Sequence, residues 1–192
     1  PAVTGLVLGD GTHVDADVVV VGIGVSPATQ WLANSGLELR DGIVCSDCLR
    51  AAPGVYAAGD CARWVNNLFG EAGEEMRIEH WTNAAEQGAG AAANLLSELA
   101  GVEPIPYAPV PFFWSDQFDS RIQFLGRASG QDEVRLVAGD LDGKFAALYG
   151  DGGRLRGVLG VSLPRMVMPY RKLLAEKASW DDAIRHAEKA AQ

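Results

Sequence analysis

Val55-Tyr56-Ala57-Ala58-Gly59-Asp60-Cys61-Ala62 is the stretch from which the fold of this chain is read. A short strand of small and aromatic residues runs into Gly-Asp and stops there. That puts one carboxylate at the carboxyl end of a sheet, where the ligands of α/β folds gather. Asp60 there can accept hydrogen bonds from sugar hydroxyls. The plainer alternative is an aspartate capping the turn that follows.

Downstream, Arg77-Ile78-Glu79-His80-Trp81-Thr82-Asn83-Ala84-Ala85-Glu86-Gln87-Gly88 opens an Ala-rich stretch free of proline. This predicts one long helix over 79–99. The first N–H groups of such a helix lie at the positive end of its dipole and favour a negative ligand atom. Gly88 and Gly90 inside it cost helix stability, so close packing against backbone or ligand is expected there. His80 has no second histidine at ligand spacing, which argues against a metal site. Trp81 taken alone reads as a core residue as readily as a cofactor contact.

Upstream, Gly5–Leu8 and Asp17–Val21 read as strands, the second apolar on both faces like a strand of a covered parallel sheet. Gly22-Ile23-Gly24-Val25-Ser26-Pro27 follows it and precedes an expected short helix over 27–35. Two glycines there let a backbone approach a ligand. The third glycine of a dinucleotide fingerprint is missing, with Pro27 in its place, so a bare tight turn reads equally well. Cys45-Ser46-Asp47-Cys48 has the spacing of a redox pair. It sits in a Gly-bounded strand and turn rather than at a helix N-terminus that would acidify a thiol, which favours an inert pair.

The boundary within the chain is Gly101-Val102-Glu103-Pro104-Ile105-Pro106-Tyr107-Ala108-Pro109-Val110-Pro111, whose four prolines suit neither a helix interior nor a central strand. Beyond it, strands are expected at 121–125, 133–138, 144–149 and 155–161, with hairpin turns at Asp142-Gly143 and Asp151-Gly152-Gly153. Helices follow near 164–176 and 180–189, with Pro164 in the first turn of one and Ser179 capping the other. The aromatic run Phe112-Phe113-Trp114 and Phe118 is read either as an interdomain seam or as a wall beside a planar cofactor.

The composition bounds the function. The 192 residues are 48% apolar and 21% charged, a globular balance, and carry a net charge of −9 that disfavours a nucleic-acid partner. No apolar run approaches the ~20 residues that span a bilayer. Three cysteines and no recognisable secretory signal point to the cytoplasm. Charge is uneven: residues 1–110 hold four Lys/Arg against fourteen Asp/Glu, whereas in 154–177 six cations face Glu176 alone. The opening Pro1-Ala2-Val3-Thr4-Gly5, without an initiator Met, suggests a piece of a longer protein.

Taken in order, Val18–Pro27, Gly42-Ile43-Val44, Val55–Ala62, Arg77–Gly88 and Phe112–Phe118 resemble the FAD-dependent ferredoxin reductases of oxygenase systems. The resemblance implies an α/β and α+β chain: residues 1–27 end an NAD-binding Rossmann-like domain, 28–108 form the C-terminal part of an FAD-binding domain, and 109–192 form a small βββαα reductase C-terminal domain. The family's first FAD fingerprint and its NAD fingerprint lie upstream of these segments. Asp60, after Gly59, would bond the ribityl chain of FAD, and Gly22 and Gly24 would run along the pyridine nucleotide. The backbone at His80, Trp81 and Thr82 would face the flavin pyrimidine edge, with Trp81 near the flavin and nicotinamide. Phe113 and Trp114 would close the site, and Glu79 would meet the nicotinamide carboxamide. The activity implied is electron transfer from NAD(P)H through FAD to a [2Fe–2S] ferredoxin, with no acid, base, nucleophile or metal from the protein and with segment 154–177 as the ferredoxin dock. Two rivals are a related flavin disulfide reductase or NADH oxidase using Cys45 and Cys48, and a non-catalytic docking or dimerisation module.

Overall fold

The computed structural model describes residues 2–70 and 73–190; Pro1 of the opening stretch lies outside them. A hairpin comes first, β1 (Gly5–Val7) pairing antiparallel with β2 (His13–Asp15). The strand expected over 17–21 does not form. Val18, Val20 and Val21 are 78%, 91% and 70% exposed, and no strand among the described residues pairs with them. A strand buried on both faces needs neighbours on both sides, and without them the apolar run stays extended and bare. The expected helix over 27–35 shrinks to one 3-10 turn, Gln30–Leu32, with Leu32 turned into the core.

The next unit is small and layered. β3 (Ile43–Cys45) and β6 (Ala62–Val65) pair in parallel, and β7 (Glu75–Met76) adds antiparallel to the second of these. Between them, β4 (Arg50–Ala52) and β5 (Val55–Tyr56) make a short hairpin. The strand expected over Val55–Ala58 is therefore its first half only. Helix α1 (Trp81–Leu99) covers this unit, within two residues of its expected start. Of its two glycines, Gly90 is explained by packing, since a Cβ would lie 3.1 Å from the Tyr107 ring; Gly88 faces open space.

The proline-rich stretch is a strap held by side chains. The Asn94 amide bonds Ile105 through both its N–H and its carbonyl, and Asn94 also donates to the Cys48 carbonyl. Trp64 Nε1 donates to the Tyr107 carbonyl at 3.0 Å, and Asn66 to that of Pro109 at 3.0 Å. The strap's prolines have no N–H to satisfy, while Ile105 N–H donates to Asn94 and Tyr107 N–H to the Asp47 carbonyl, and buried Asn and Trp donors supply the carbonyls.

After the strap, β8 (Phe112–Gln117), β9 (Ser120–Gly126), β10 (Glu133–Gly139), β11 (Phe145–Asp151) and β12 (Arg154–Val161) build one antiparallel sheet in the order β10-β11-β12-β9-β8. The βββαα plan is thus present in expanded form. The aromatic run is itself the edge strand β8, and Gly152-Gly153 makes the tight β11–β12 turn with both φ positive. The expected helix over 164–176 divides into α2 (Pro164–Val167) and α3 (Tyr170–Ala175), because Pro169 offers no N–H to continue it. Helix α4 (Trp180–Ala190) starts where Ser179 caps it: Ser179 Oγ accepts from Asp182 N at 3.1 Å and donates to the Asp182 carboxylate at 2.6 Å. The core runs through both units, with Trp64, Phe69, Leu49, Leu125, Leu148, Leu155 and Tyr170 almost wholly buried.

Candidate functional site

β5 leads through Ala57-Ala58 into a single 3-10 turn, Gly59–Cys61, packed against the first turns of α1. Gly59 adopts φ +78, a left-handed conformation that favours glycine, and a Cβ there would touch Ala84 at 3.5 Å. Its N–H donates to Gln87 Oε1 at 2.7 Å, and Gln87 is fully buried. Asp60 stands exposed beside it, its carbonyl accepting from Arg77 Nη1 at 3.0 Å.

The N-terminus of α1 is left open. His80 occupies the N-cap position with extended backbone and makes no side-chain cap, and no acidic residue lies in the first turn. The leading N–H groups are therefore free to meet an outside acceptor. Thr82 Oγ1 instead reaches forward, donating to the Phe112 carbonyl at 2.8 Å and tying α1 to the edge strand β8. The ring of His80 lies 4.9 Å from Phe113, which stacks at 5.9 Å on Phe124, itself edge-on to Tyr149 at 5.5 Å. Burial holds the His80 imidazole below its ordinary pKa, against the opposing pull of Asp60 and Glu79, so the ring is neutral at pH 7.

These elements enclose a cleft of about 250 Å³ lined by Glu79, His80, Trp81, Thr82, Phe112, Phe113 and Trp114. Six of the ten site residues expected from sequence converge on it. Trp81 is 77% exposed and Trp114 42%, so neither serves as core. A larger cavity of about 500 Å³ shares Glu79 and His80 and extends past Arg77 and Asp41 to Gly126 and Arg127. Arg77 anchors this side: it bonds Glu79 and Asp41, and the two carboxylates raise its pKa although burial opposes them. Glu79 is thus engaged by a guanidinium at the rim. Gly59 and Asp60 join the site through Gln87 and Arg77 rather than by lining the cleft. Gly22 and Gly24 do not join it: both are exposed, with open space around them, and the strand and helix expected to frame them are absent.

Sequence reasoning passed over Asn83 and Gln87, and took Phe112 only as part of the aromatic run. His80, Asn83 and Gln87 recur at helical spacing, a signal that three polar groups share one face of α1. That face is buried. Asn83 Nδ2 donates to the carbonyl of Ile78 and to Gln87 Oε1, both at 3.3 Å. His80 Nδ1, Asn83 Oδ1 and Gln87 Nε2 have no protein partner. An uncapped helix N-terminus, orphaned buried polar atoms behind it and an aromatic wall in front fit a flat, polar-edged group such as a flavin.

Cys45, Cys48 and Cys61 are free thiols. Burial pushes both Cys45 and Cys48 up to about 11, with Asp47 adding to the effect at Cys48, so neither is poised as a nucleophile. Among the described residues, no group of three or more His, Cys, Asp and Glu is placed to hold a metal ion, and no helix is long and apolar enough to cross a membrane.

Basic segment 154–177 is used largely for architecture. Arg154 and Arg156 donate to the carbonyls of Leu68 and Phe69 at 2.7 and 2.8 Å, and Lys177 to that of Asn67 at 3.3 Å. Three consecutive carbonyls of the first unit thus face three cations of the second. Arg171 lies 3.5 Å from Glu86, Lys172 lies 3.7 Å from Glu176, and Arg165 is exposed.

Known proteins resemble this chain along nearly its whole length. Residues 2–88 match the family model of pyridine nucleotide-disulphide oxidoreductases, and residues 112–191 match the reductase C-terminal model. Rhodocoxin reductase of Rhodococcus erythropolis is 39% identical over 173 residues, 89% of this chain and 38% of that protein. The ferredoxin–NAD(+) reductase component of the anthranilate 1,2-dioxygenase system of Burkholderia cepacia is 39% identical over 175 residues, 90% of this chain and 41% of that protein. The putidaredoxin reductase–putidaredoxin complex matches with TM-score 0.79 and 28% identity, over 98% of this chain and 45% of that one. The chain spans about two fifths of the length of the curated relatives it matches. With both models matched in succession and these relatives alongside, the chain belongs to the pyridine nucleotide-disulphide oxidoreductase family, on its ferredoxin-reductase branch.

Proposed function

We propose that the protein carrying this chain is a flavoprotein oxidoreductase that takes electrons from NAD(P)H and delivers them to a [2Fe–2S] ferredoxin of an oxygenase system. The observation that carries the reading is the uncapped N-terminus of α1 opening onto the Phe112-Phe113-Trp114 wall. FAD, when bound, supplies the redox chemistry, accepting a hydride and releasing single electrons. In this reading the backbone at His80, Trp81 and Thr82 would hold the negative pyrimidine edge of the flavin. Asp60 bonds the ribityl hydroxyls. Trp81, Phe113 and Trp114 exclude water from the flavin face and orient the nicotinamide, which Glu79 meets from its salt bridge with Arg77. Gly22 and Gly24 run along the pyridine nucleotide in an NAD-binding domain that residues 1–27 close; residues 28–108 belong to the FAD domain and 109–192 to the reductase C-terminal domain. The free thiols and low cysteine content support a cytoplasmic setting, and the raised thiol pKa values weigh against a disulfide reductase or an NADH oxidase working through Cys45 and Cys48.

For ferredoxin docking, Arg165, Arg171 and Lys172 are the cations of 154–177 not tied to the carbonyls of 67–69, and they are the proposed contact. The test is made on protein expressed from its complete reading frame. A visible flavin band that bleaches on adding NADH without oxygen supports the reductase reading. Protein that stays colourless with added FAD overturns it.

A further inference from the structure

We infer that Gln87 is the positioning residue for Asp60, coupling the carboxylate turn to the N-terminus of α1 through one buried hydrogen bond. The inference rests on the reading in which Asp60 binds the ribityl chain of FAD. Gln87 is fully buried, and its Oε1 accepts the Gly59 N–H at 2.7 Å. A backbone N–H can only donate, so the carboxamide cannot be turned the other way. Asn83 is set by the same logic, because its Nδ2 donates both to this oxygen and to the Ile78 carbonyl. The chain therefore has one arrangement here.

That arrangement grips the backbone of Asp60 from both sides. On its amino side, Gly59 sits at φ +78 against Ala84, clipped by Gln87. On its carbonyl side, Arg77 Nη1 holds the Asp60 oxygen at 3.0 Å. The carboxylate is left exposed and aimed by a turn that cannot rotate independently of α1. The turn that would hold the ribityl chain and the helix start that would meet the pyrimidine edge thus move as one body. A buried amide that only filled space would be replaceable by an apolar side chain at little cost; one that accepts a backbone N–H leaves that N–H orphaned when removed.

The experiment is a double-mutant cycle in the protein expressed from its complete reading frame, with FAD affinity read from flavin fluorescence. Asp60→Ala is expected to weaken FAD binding about tenfold or more, as loss of a charged hydrogen bond does. Gln87→Leu, which removes the acceptor, is expected to weaken it about as much by releasing the turn. Combined with Asp60→Ala, it should add little. Gln87→Glu, which keeps an acceptor oxygen, should restore most of the affinity lost in Gln87→Leu. A full additional loss from Gln87→Leu in the Asp60→Ala background overturns the inference, since Gln87 then acts elsewhere. Should Asp60→Ala leave FAD affinity intact, the ribityl assignment itself falls, a distinct result. Hydrogen exchange of the Gly59 amide gives a readout that needs no variant: it should be as slow as the core amides of α1, and fast exchange overturns the inference.

Discussion

His80 shows how much a single side chain records of its surroundings. Its burial against Phe113 lowers its pKa, so the folded protein binds fewer protons at this position than the unfolded chain does. The associated stability is present above the ordinary value of 6.5 and is lost as pH falls through the lowered folded value. Wild-type protein should therefore lose more stability than His80→Gln between about pH 7.5 and about pH 5.5, as measured by urea unfolding at each pH. Equal losses would mean that His80 is not buried neutral. Cys45 and Cys48, both pushed up to about 11, should alkylate with iodoacetamide far more slowly near neutral pH than free cysteine does. Their joint replacement by serine should leave flavin reduction by NADH unchanged. Gly126 makes a sharp residue-scale demand: it sits at φ +88, and a Cβ there would run into the Arg156 carbonyl. Gly126→Ala is expected to destabilise the fold by about 1–3 kcal/mol, read from the urea midpoint.

At the scale of elements, helix ends and strand pairing obey different kinds of information. The start of α4 is local: Ser179 and Asp182 bond one another's groups within three residues, and their types and spacing announce it. Ser179→Ala should cost about 1 kcal/mol of stability, visible as a lowered urea midpoint with an unchanged slope. The opening of α1 lacks a side-chain cap at His80, and it is the element on which the proposed binding site rests. Strands are less local. The β11–β12 hairpin follows from Gly152-Gly153 alone, yet β8 was read only as an aromatic run, because its alternation is masked by three successive aromatic residues. The run at Val18–Val21 has every intrinsic property of a strand and does not become one, since pairing requires partners that the described residues do not provide.

Across the whole molecule, the seam between the two units is held by the three cations on the carbonyls of Asn67, Leu68 and Phe69, by the strap on Asn94, Trp64 and Asn66, and by Thr82 on Phe112. Burial, with Arg156 adjacent, depresses the pKa of Arg154, so its bond to Leu68 is made at a desolvation cost. Arg154→Ala should destabilise the protein by about 1–3 kcal/mol and speed hydrogen exchange at residues 66–70. Unchanged exchange there would show that the seam does not depend on it. Charge reversal at Arg165, Arg171 and Lys172 tests the cations that the seam leaves outward. It should slow ferredoxin reduction, most strongly at low salt, while leaving the NADH-to-flavin step intact. A ferredoxin rate that does not move would remove Arg165, Arg171 and Lys172 as the dock.

Residue types and their spacing determined the long helix, the hairpin turns and the cap at Ser179, because each depends on contacts within a few residues. Six members of the aromatic cleft were legible for a similar reason, since Glu79 to Thr82 and Phe113 to Trp114 lie in two short runs. Only the tertiary structure decided that these two runs face each other, that Gln87 reaches 28 residues back to Gly59, and that half of a basic segment serves as internal fastening. Those outcomes rest on burial and on which carbonyls are left without a partner. Both are properties of the packed chain and have no local signature in composition or spacing.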